Sequence, residues 1–344
     1  MHRYIPAASL ALAAALFATT AAVAQSKPPD EFYKGNTVTV VVSSGSGGEN
    51  ALYGKTIGGF IGRHIPGKPT VIMQYMPGGG GIKGANYCYN VAPKDGTILC
   101  HLQYSLAQTQ LLGMPGVKFD VTKFDYLGRS TSSNSGIYVW HSTPPKTLAD
   151  VKKHEIIIGA SGRGSETFTD PTLINAVLGT KFKVILGYKG GGDMDLALER
   201  GEVNGDAGPA ISVFNRHRHW VDNNKIRFLV QSGEKRHPLL PDVPLLTELA
   251  ETPDQKAIFA FLSSRAAIGR TLVASPGVPA DRLAALRKAY RDTVHDPAYV
   301  KEAKRRGLDV IPASHEEVET LVREVLATPP ETVRKVKTAL GIKG

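Results

Sequence analysis

The sequence predicts an α/β protein of two domains, each a largely parallel sheet flanked by helices. Three observations carry that expectation. Short β-branched runs alternate with helical segments along most of the chain. Glycine-rich loops stand where strands give way to helices, as in Val40-Val41-Val42-Ser43-Ser44-Gly45-Ser46-Gly47-Gly48-Glu49-Asn50. The same strand, loop, helix, strand order then occurs twice, once from Thr37 and again from Glu155. A chain of 344 residues with 42% hydrophobic content is long enough for two ordinary cores.

The N-terminus is set aside first. Met1-His2-Arg3 is a short basic start, followed by an alanine-rich apolar run to Val23 that closes in Ala22-Val23-Ala24, the small-x-small form of a signal-peptidase site. Residues 1–24 are expected to be a cleaved leader and Gln25 the mature N-terminus, which places the protein in the periplasm. A membrane anchor fits less well, because no basic stop-transfer flank follows.

In the first unit, Thr37 to Ser43 reads as a strand, Asn50 to Ile61 as a helix and Thr70 to Tyr75 as a strand. The turn Pro77-Gly78-Gly79-Gly80-Gly81 opens a helix through Asn90, and strands follow at Thr97 to Leu102 and Phe124 to Gly128. In the second unit the strands are Glu155 to Ala160, Lys183 to Gly187 and Val203 to Ala207, with helices from about Pro171 to Leu178 and from Met194 to Arg200. Ile226 to Gln231 is a further strand. Helices at Ala280 to Val294, Pro297 to Arg306 and His315 to Leu326 end the chain, the last opened by a capping box in which Ser314 precedes Glu317 by three residues.

The formal net charge of +10 suits an attraction to anions, but also plain surface solubility. Nucleic acid is not expected as a partner, since the basic residues do not interleave with aromatics in a binding module. The run Lys301 to Arg306 reads as a solvated helix face, and Trp140 and Trp220 as packing residues. Cys88 and Cys100 are the two cysteines; an oxidising compartment allows them to pair, and two free buried thiols are the alternative.

Nucleotide motifs fail on inspection. Gly45-Ser46-Gly47-Gly48-Glu49-Asn50 has Asn50 where a dinucleotide fingerprint needs its third glycine, and Gly54-Lys55-Thr56 has Glu49 where a P-loop needs its first. What remains is the physics those motifs share. A helix N-terminus offers unpaired N–H groups and a partial positive charge to an anionic oxygen, and glycine permits close approach. Catalysis is not expected: Gly159-Ala160-Ser161-Gly162-Arg163 ends in arginine where a nucleophile elbow has glycine. His217 and His219, if helical, point to different faces and make a poor metal pair. No metal or cofactor is expected.

In order and spacing, several segments resemble one family. They are Val40 to Asn50, Pro77 to Asn86, Ala92-Pro93-Lys94-Asp95-Gly96-Thr97, Ser161 to Ser165, Tyr188-Lys189-Gly190-Gly191, Leu240-Pro241-Asp242-Val243-Pro244 and Pro276-Gly277-Val278-Pro279-Ala280. The chain resembles the solute-binding receptors of tripartite tricarboxylate transporters, the TctC or Bug family. The resemblance implies a two-lobed periplasmic binding protein, a Venus flytrap, with lobe one at 25–127 and 231–344 and lobe two at 128–230. It implies a monomer that captures a small carboxylate in the cleft and hands it to membrane transporter subunits. Carried over by position, it implies ligand contacts from Ser43, Ser44, Gly45, Ser46, Gly47, Gly48 and Asn50, with Gly78, Gly79, Gly80, Gly81 and Ser105 beside them. From lobe two it implies Ser161, Gly162, Ser165, Tyr188 and Lys189. Two departures stand out: no proline precedes the first loop's glycines, and Asn50 replaces the family's aspartate. An exported hydrolase of carboxylate esters or amides, and a subunit presenting ligand to a sensor, are the other readings.

Overall fold

Valines at positions 38, 40, 41 and 42 are wholly buried, as expected for a parallel strand covered on both faces, and this strand organises the first sheet. The computed structural model describes residues 27–209 and 212–342, so the leader expected at 1–24 lies outside the described residues. Ten strands are present among them: β1 Thr37–Val42, β2 Thr70–Tyr75, β3 Ile98–His101, β4 Asp125–Arg129, β5 Ser135–Trp140, β6 Ile156–Ala160, β7 Phe182–Leu186, β8 Gly205–Pro209, β9 Ile226–Ser232 and β10 Thr271–Ala274. They form two five-stranded sheets, ordered β2-β1-β3-β10-β4 and β7-β6-β8-β5-β9.

Both sheets are mixed where largely parallel sheets were expected. β1 runs parallel to β2 and β3, and β6 parallel to β7 and β8. The fourth strand of each sheet is antiparallel to its neighbours: β10 in the first, β5 in the second. These two strands are the ones the sequence reading misses. Both adjoin the crossing between sheets, where Ser130 N–H donates to the Arg270 carbonyl at 2.8 Å and Arg270 N–H to the Thr131 carbonyl at 2.9 Å.

Helices cover the sheets near their expected places. One helix begins earlier than expected: it spans Glu166–Leu178, with Pro171 inside it. Thr252 caps a helix at Pro253–Ile268 that the sequence reading also misses. Ser314 and Glu317 form the reciprocal capping box expected of them. Cys88 and Cys100 form a disulfide that ties the helix Ile82–Asn90 to β3. Trp220 is wholly buried and meets Trp140 edge to face, with ring centroids 5.1 Å apart, so both indoles serve packing. No described helix is long and apolar enough to cross a membrane.

Candidate functional site

Each sheet sends two glycine-bearing strand-to-helix loops toward the other. In the first sheet these follow β1 (43–48) and β2 (76–81); in the second they follow β6 (161–165) and β7 (187–190). They meet crosswise. Gly45 N–H donates to the Lys189 carbonyl at 2.9 Å, while Ser105 Oγ and Thr109 Oγ1 donate to the Gly164 carbonyl at 3.1 and 3.0 Å. Backbone touches backbone here. A Cβ on Gly80 would lie 2.4 Å from Ser165 N, one on Gly162 2.4 Å from Gly80 N, and one on Gly47 3.2 Å from the Gly192 Cα. These glycines therefore make room for the opposite lobe.

Between the loops is a cavity of about 40 Å³, lined from both sheets. That is space for a few water molecules, so entry of a larger solute requires the lobes to part. Three long helices begin at its wall: Glu49–Ile61, Glu166–Leu178 and Gly191–Glu199, contributing Gly48 to Asn50, Glu166 and Thr167, and Gly190 and Gly191. Unpaired N–H groups of both lobes thus converge on one space.

Of the residues expected to touch a ligand, Ser44, Gly48, Asn50 and Ser161 line this cavity. Asn50 Nδ2 reaches Ser44 Oγ at 3.4 Å. Gly45, Gly47, Gly79, Gly80, Gly162 and Lys189 lie at the lobe-to-lobe contact, as does Ser105 through its bond to Gly164. Ser43 is buried behind the cavity, its hydroxyl donating to the His101 carbonyl at 3.3 Å. Gly81 packs on Gln103, Gly78 on Lys83 and Gly79 on Ile82. Ser165 Oγ donates to the Gly162 carbonyl at 2.7 Å and holds its own loop. Tyr188 packs its ring against Gly159, and the Ser46 carbonyl accepts from Lys55 at the exposed start of its helix.

The wall also carries charged groups that sequence reasoning missed: Glu49, Glu166, Asp206, Arg216 and Arg270. Arg270 is 0% exposed, pairs through Nη2 with Glu49, and lies over the Tyr104 ring at 4.6 Å. Burial would lower its pKa, but Glu49, Tyr104 and Glu166 hold it above the ordinary value. Arg216 makes a two-point contact with Asp195, Nε to Oδ2 at 2.9 Å and Nη2 to Oδ1 at 3.0 Å. His217 Nε2 lies 3.0 Å from the same carboxylate. Burial pushes Asp195 up, yet His217 and Arg216 outweigh it and keep the carboxyl below its usual range. Asp206 differs. Burial, then repulsion from Asp195, pushes it up to about 7, and the Tyr138 hydroxyl donates to its Oδ2 at 3.0 Å. Glu166 is likewise raised by burial, against the pull of Arg265 and Arg270.

The two histidines are arranged differently from the expectation. His217 is the residue before the helix Arg218–Asp222, with non-helical φ of −137°, so the rings of His217 and His219 lie 5.9 Å apart and not on opposite faces. Ligand atoms of Glu199, His217 and His219 come within 4.8 Å of one another. His217 stacks on Trp220 at 3.9 Å, and with its Nε2 beside Asp195 it braces the carboxylate that fixes Arg216. His101 is wholly buried, and burial beside Arg270 lowers it to about 3, so it stays neutral.

The model of the tripartite tricarboxylate transporter family receptor matches residues 65–338. A protein from Cupriavidus necator described as a UPF0065 protein in the gbd 5' region is 28% identical over 258 residues, covering 72% of this chain and 74% of that one. Among solved structures, the periplasmic binding protein BugD aligns with a TM-score of 0.72 at 20% identity, over 90% of this chain and 99% of its own. MatC from Rhodopseudomonas palustris with bound malate aligns at 0.68 and 18%, over 89% and 99%. A second R. palustris protein, solved with adipate, aligns at 0.69 and 20%, over 89% and 97%. The two-sheet α/β fold is that of two-lobed periplasmic binding proteins.

Proposed function

We propose, from the premise that this chain belongs to the tripartite tricarboxylate transporter receptor family, that it captures a small carboxylate between its lobes and delivers it to membrane transporter subunits. The observation that carries this reading is the convergence of helix N-termini from both sheets on one cavity, with Arg270 in its wall. The family and fold are those of substrate-binding proteins, and the related structures solved with malate and adipate support an acidic ligand.

Residues 25–127 with 231–344, and residues 128–230, act in this reading as the two closing bodies. Their glycine loops, including Ser43 to Asn50, Gly78 to Gly81, Ser161 to Ser165 and Tyr188-Lys189, serve as the ligand-responsive clamp. Only the closed form offers both walls at once, so a ligand bound to both shifts the equilibrium toward closure. The leader places the receptor in the periplasm, where it works as a monomer. Calorimetry against a panel of small carboxylic acids, with small-angle scattering in parallel, tests this. Micromolar binding, about −8 kcal/mol, with compaction is expected; binding of neutral solutes alone would sink it.

A further inference from the structure

The cavity wall has an uneven supply of unmet hydrogen-bonding groups. Among the described residues, Asp206 Oδ1 and Glu166 Oε2 are buried without a partner, and so are Nε and Nη1 of Arg270. All three side chains line the same cavity. Native proteins rarely leave such groups unpaired, and each costs free energy until something satisfies it. Asn50 Oδ1 and Gln103 Oε1 are also unpaired, but an amide can be turned to offer its nitrogen, so they discriminate nothing.

The charges decide what would satisfy the rest. Each cation on the wall already has a carboxylate of its own, Glu49 for Arg270 and Asp195 for Arg216. Arg270 still has free N–H groups to offer an anionic oxygen. Glu166 has the Arg265 charge nearby, but that guanidinium is engaged by Asp170, Ser135 and Gln108. Asp206 faces the charges of Asp195 and Arg216, the hydroxyl of Tyr138 and the backbone N–H of Ala207, while its Oδ1 is left without a side-chain partner. A second ligand carboxylate placed against Asp206 and Glu166 would need a proton on at least one of them, whereas an ammonium would meet two acceptors and favour their ionised forms.

We propose that the ligand is an amino acid-type zwitterion, its carboxylate held by the free N–H groups of Arg270 and its ammonium by Asp206 and Glu166. This rests on the receptor reading above and narrows it. The small cavity favours a compact molecule.

The test is calorimetry of the purified protein with matched acids that differ at one group: succinate, malate and aspartate; propionate and alanine; glycine and its trimethylammonium analogue betaine. The amino member of each set is expected to bind at least about tenfold tighter than the member lacking an N–H donor. Asp206→Asn and Glu166→Gln are each expected to cut that advantage to about threefold or less, with melting of Asp206→Asn checked to confirm folding. If succinate or malate binds the wild-type protein as tightly as aspartate, the inference is overturned and the receptor reading stands. If none of these acids binds in either charge form, both are overturned.

Discussion

Position for position, the strand order β2-β1-β3-β10-β4 of the first sheet matches β7-β6-β8-β5-β9 of the second. In each, the loop after the first parallel strand ends in a glutamate at the start of a helix, Glu49 in one and Glu166 in the other. The two lobes treat that glutamate differently. Glu49 is neutralised by Arg270, whereas Glu166 keeps an unpaired oxygen and stands near Asp206, which has another. One plan thus yields one wall whose buried side chains have spare guanidinium donors and another whose buried side chains have spare carboxylate acceptors. Polarity across the cleft comes from where arginines enter from distant sequence, since the repeated unit itself is the same.

The largest effect is expected at Arg270. Arg270→Met strands Glu49 in the interior and is expected to cost about 3–5 kcal/mol of stability in urea unfolding, because an unpaired buried charge is left behind. Adding Glu49→Gln should recover most of that stability without restoring ligand binding. Recovery of both would show that Arg270 acts only as a structural partner.

The disulfide belongs to the first sheet's lobe, and the second has no such brace. Reduction of Cys88–Cys100, which closes a loop of 12 residues, is expected to cost about 2–3 kcal/mol. Hydrogen exchange should report it in β3 and the helix Ile82–Asn90 before any strand of the second sheet. Uniform loosening of both sheets would mean the lobes unfold as one unit.

Closure can be disturbed without touching either core. Gly164 needs no left-handed backbone, yet a Cβ there would come 2.8 Å from the Gly79 carbonyl oxygen and 3.0 Å from Ile82 Cδ1. Gly164→Ala should weaken ligand binding about tenfold and reduce compaction in scattering, with stability changed by less than about 1 kcal/mol. Unaltered affinity would mean that the crosswise loop contact is not needed for capture.

The last effect concerns pH. Asp206 holds its proton in the folded protein up to about 7, against 3.8 ordinarily, so folding takes up a proton between those values. Its contribution is complete below pH 3.8 and is lost as the pH rises through about 7. Asp195 stays ionised across that window, since its carboxyl is held below the ordinary range. Asp206→Asn should therefore flatten the fall in stability between pH 4.5 and 7.5, read as the difference between the two proteins' unfolding free energies.

The parallel units were legible because each is a local event: a β-branched strand, a glycine loop and a helix start are written in consecutive residues, as from Val40 to Asn50. The antiparallel strands Ser135–Trp140 and Thr271–Ala274 were not, because their partners lie far along the chain and nothing local marks them. Arg270 follows Ile268-Gly269 in no recognisable motif, and Asp206 sits inside a strand of glycine and alanine. Ser44 and Ser161 were found by the loop grammar, whereas the charges opposite them were not.

Local sequence by itself determined that four glycine loops would open helices on two similar units, since backbone sterics and helix ends act over a few residues. Only the tertiary structure decided that the loops meet crosswise, that their glycines yield space to another backbone, and which buried charges find a partner. Those outcomes depend on contacts between residues tens to hundreds of positions apart, where burial sets the strength of each charge and geometry sets what it can reach.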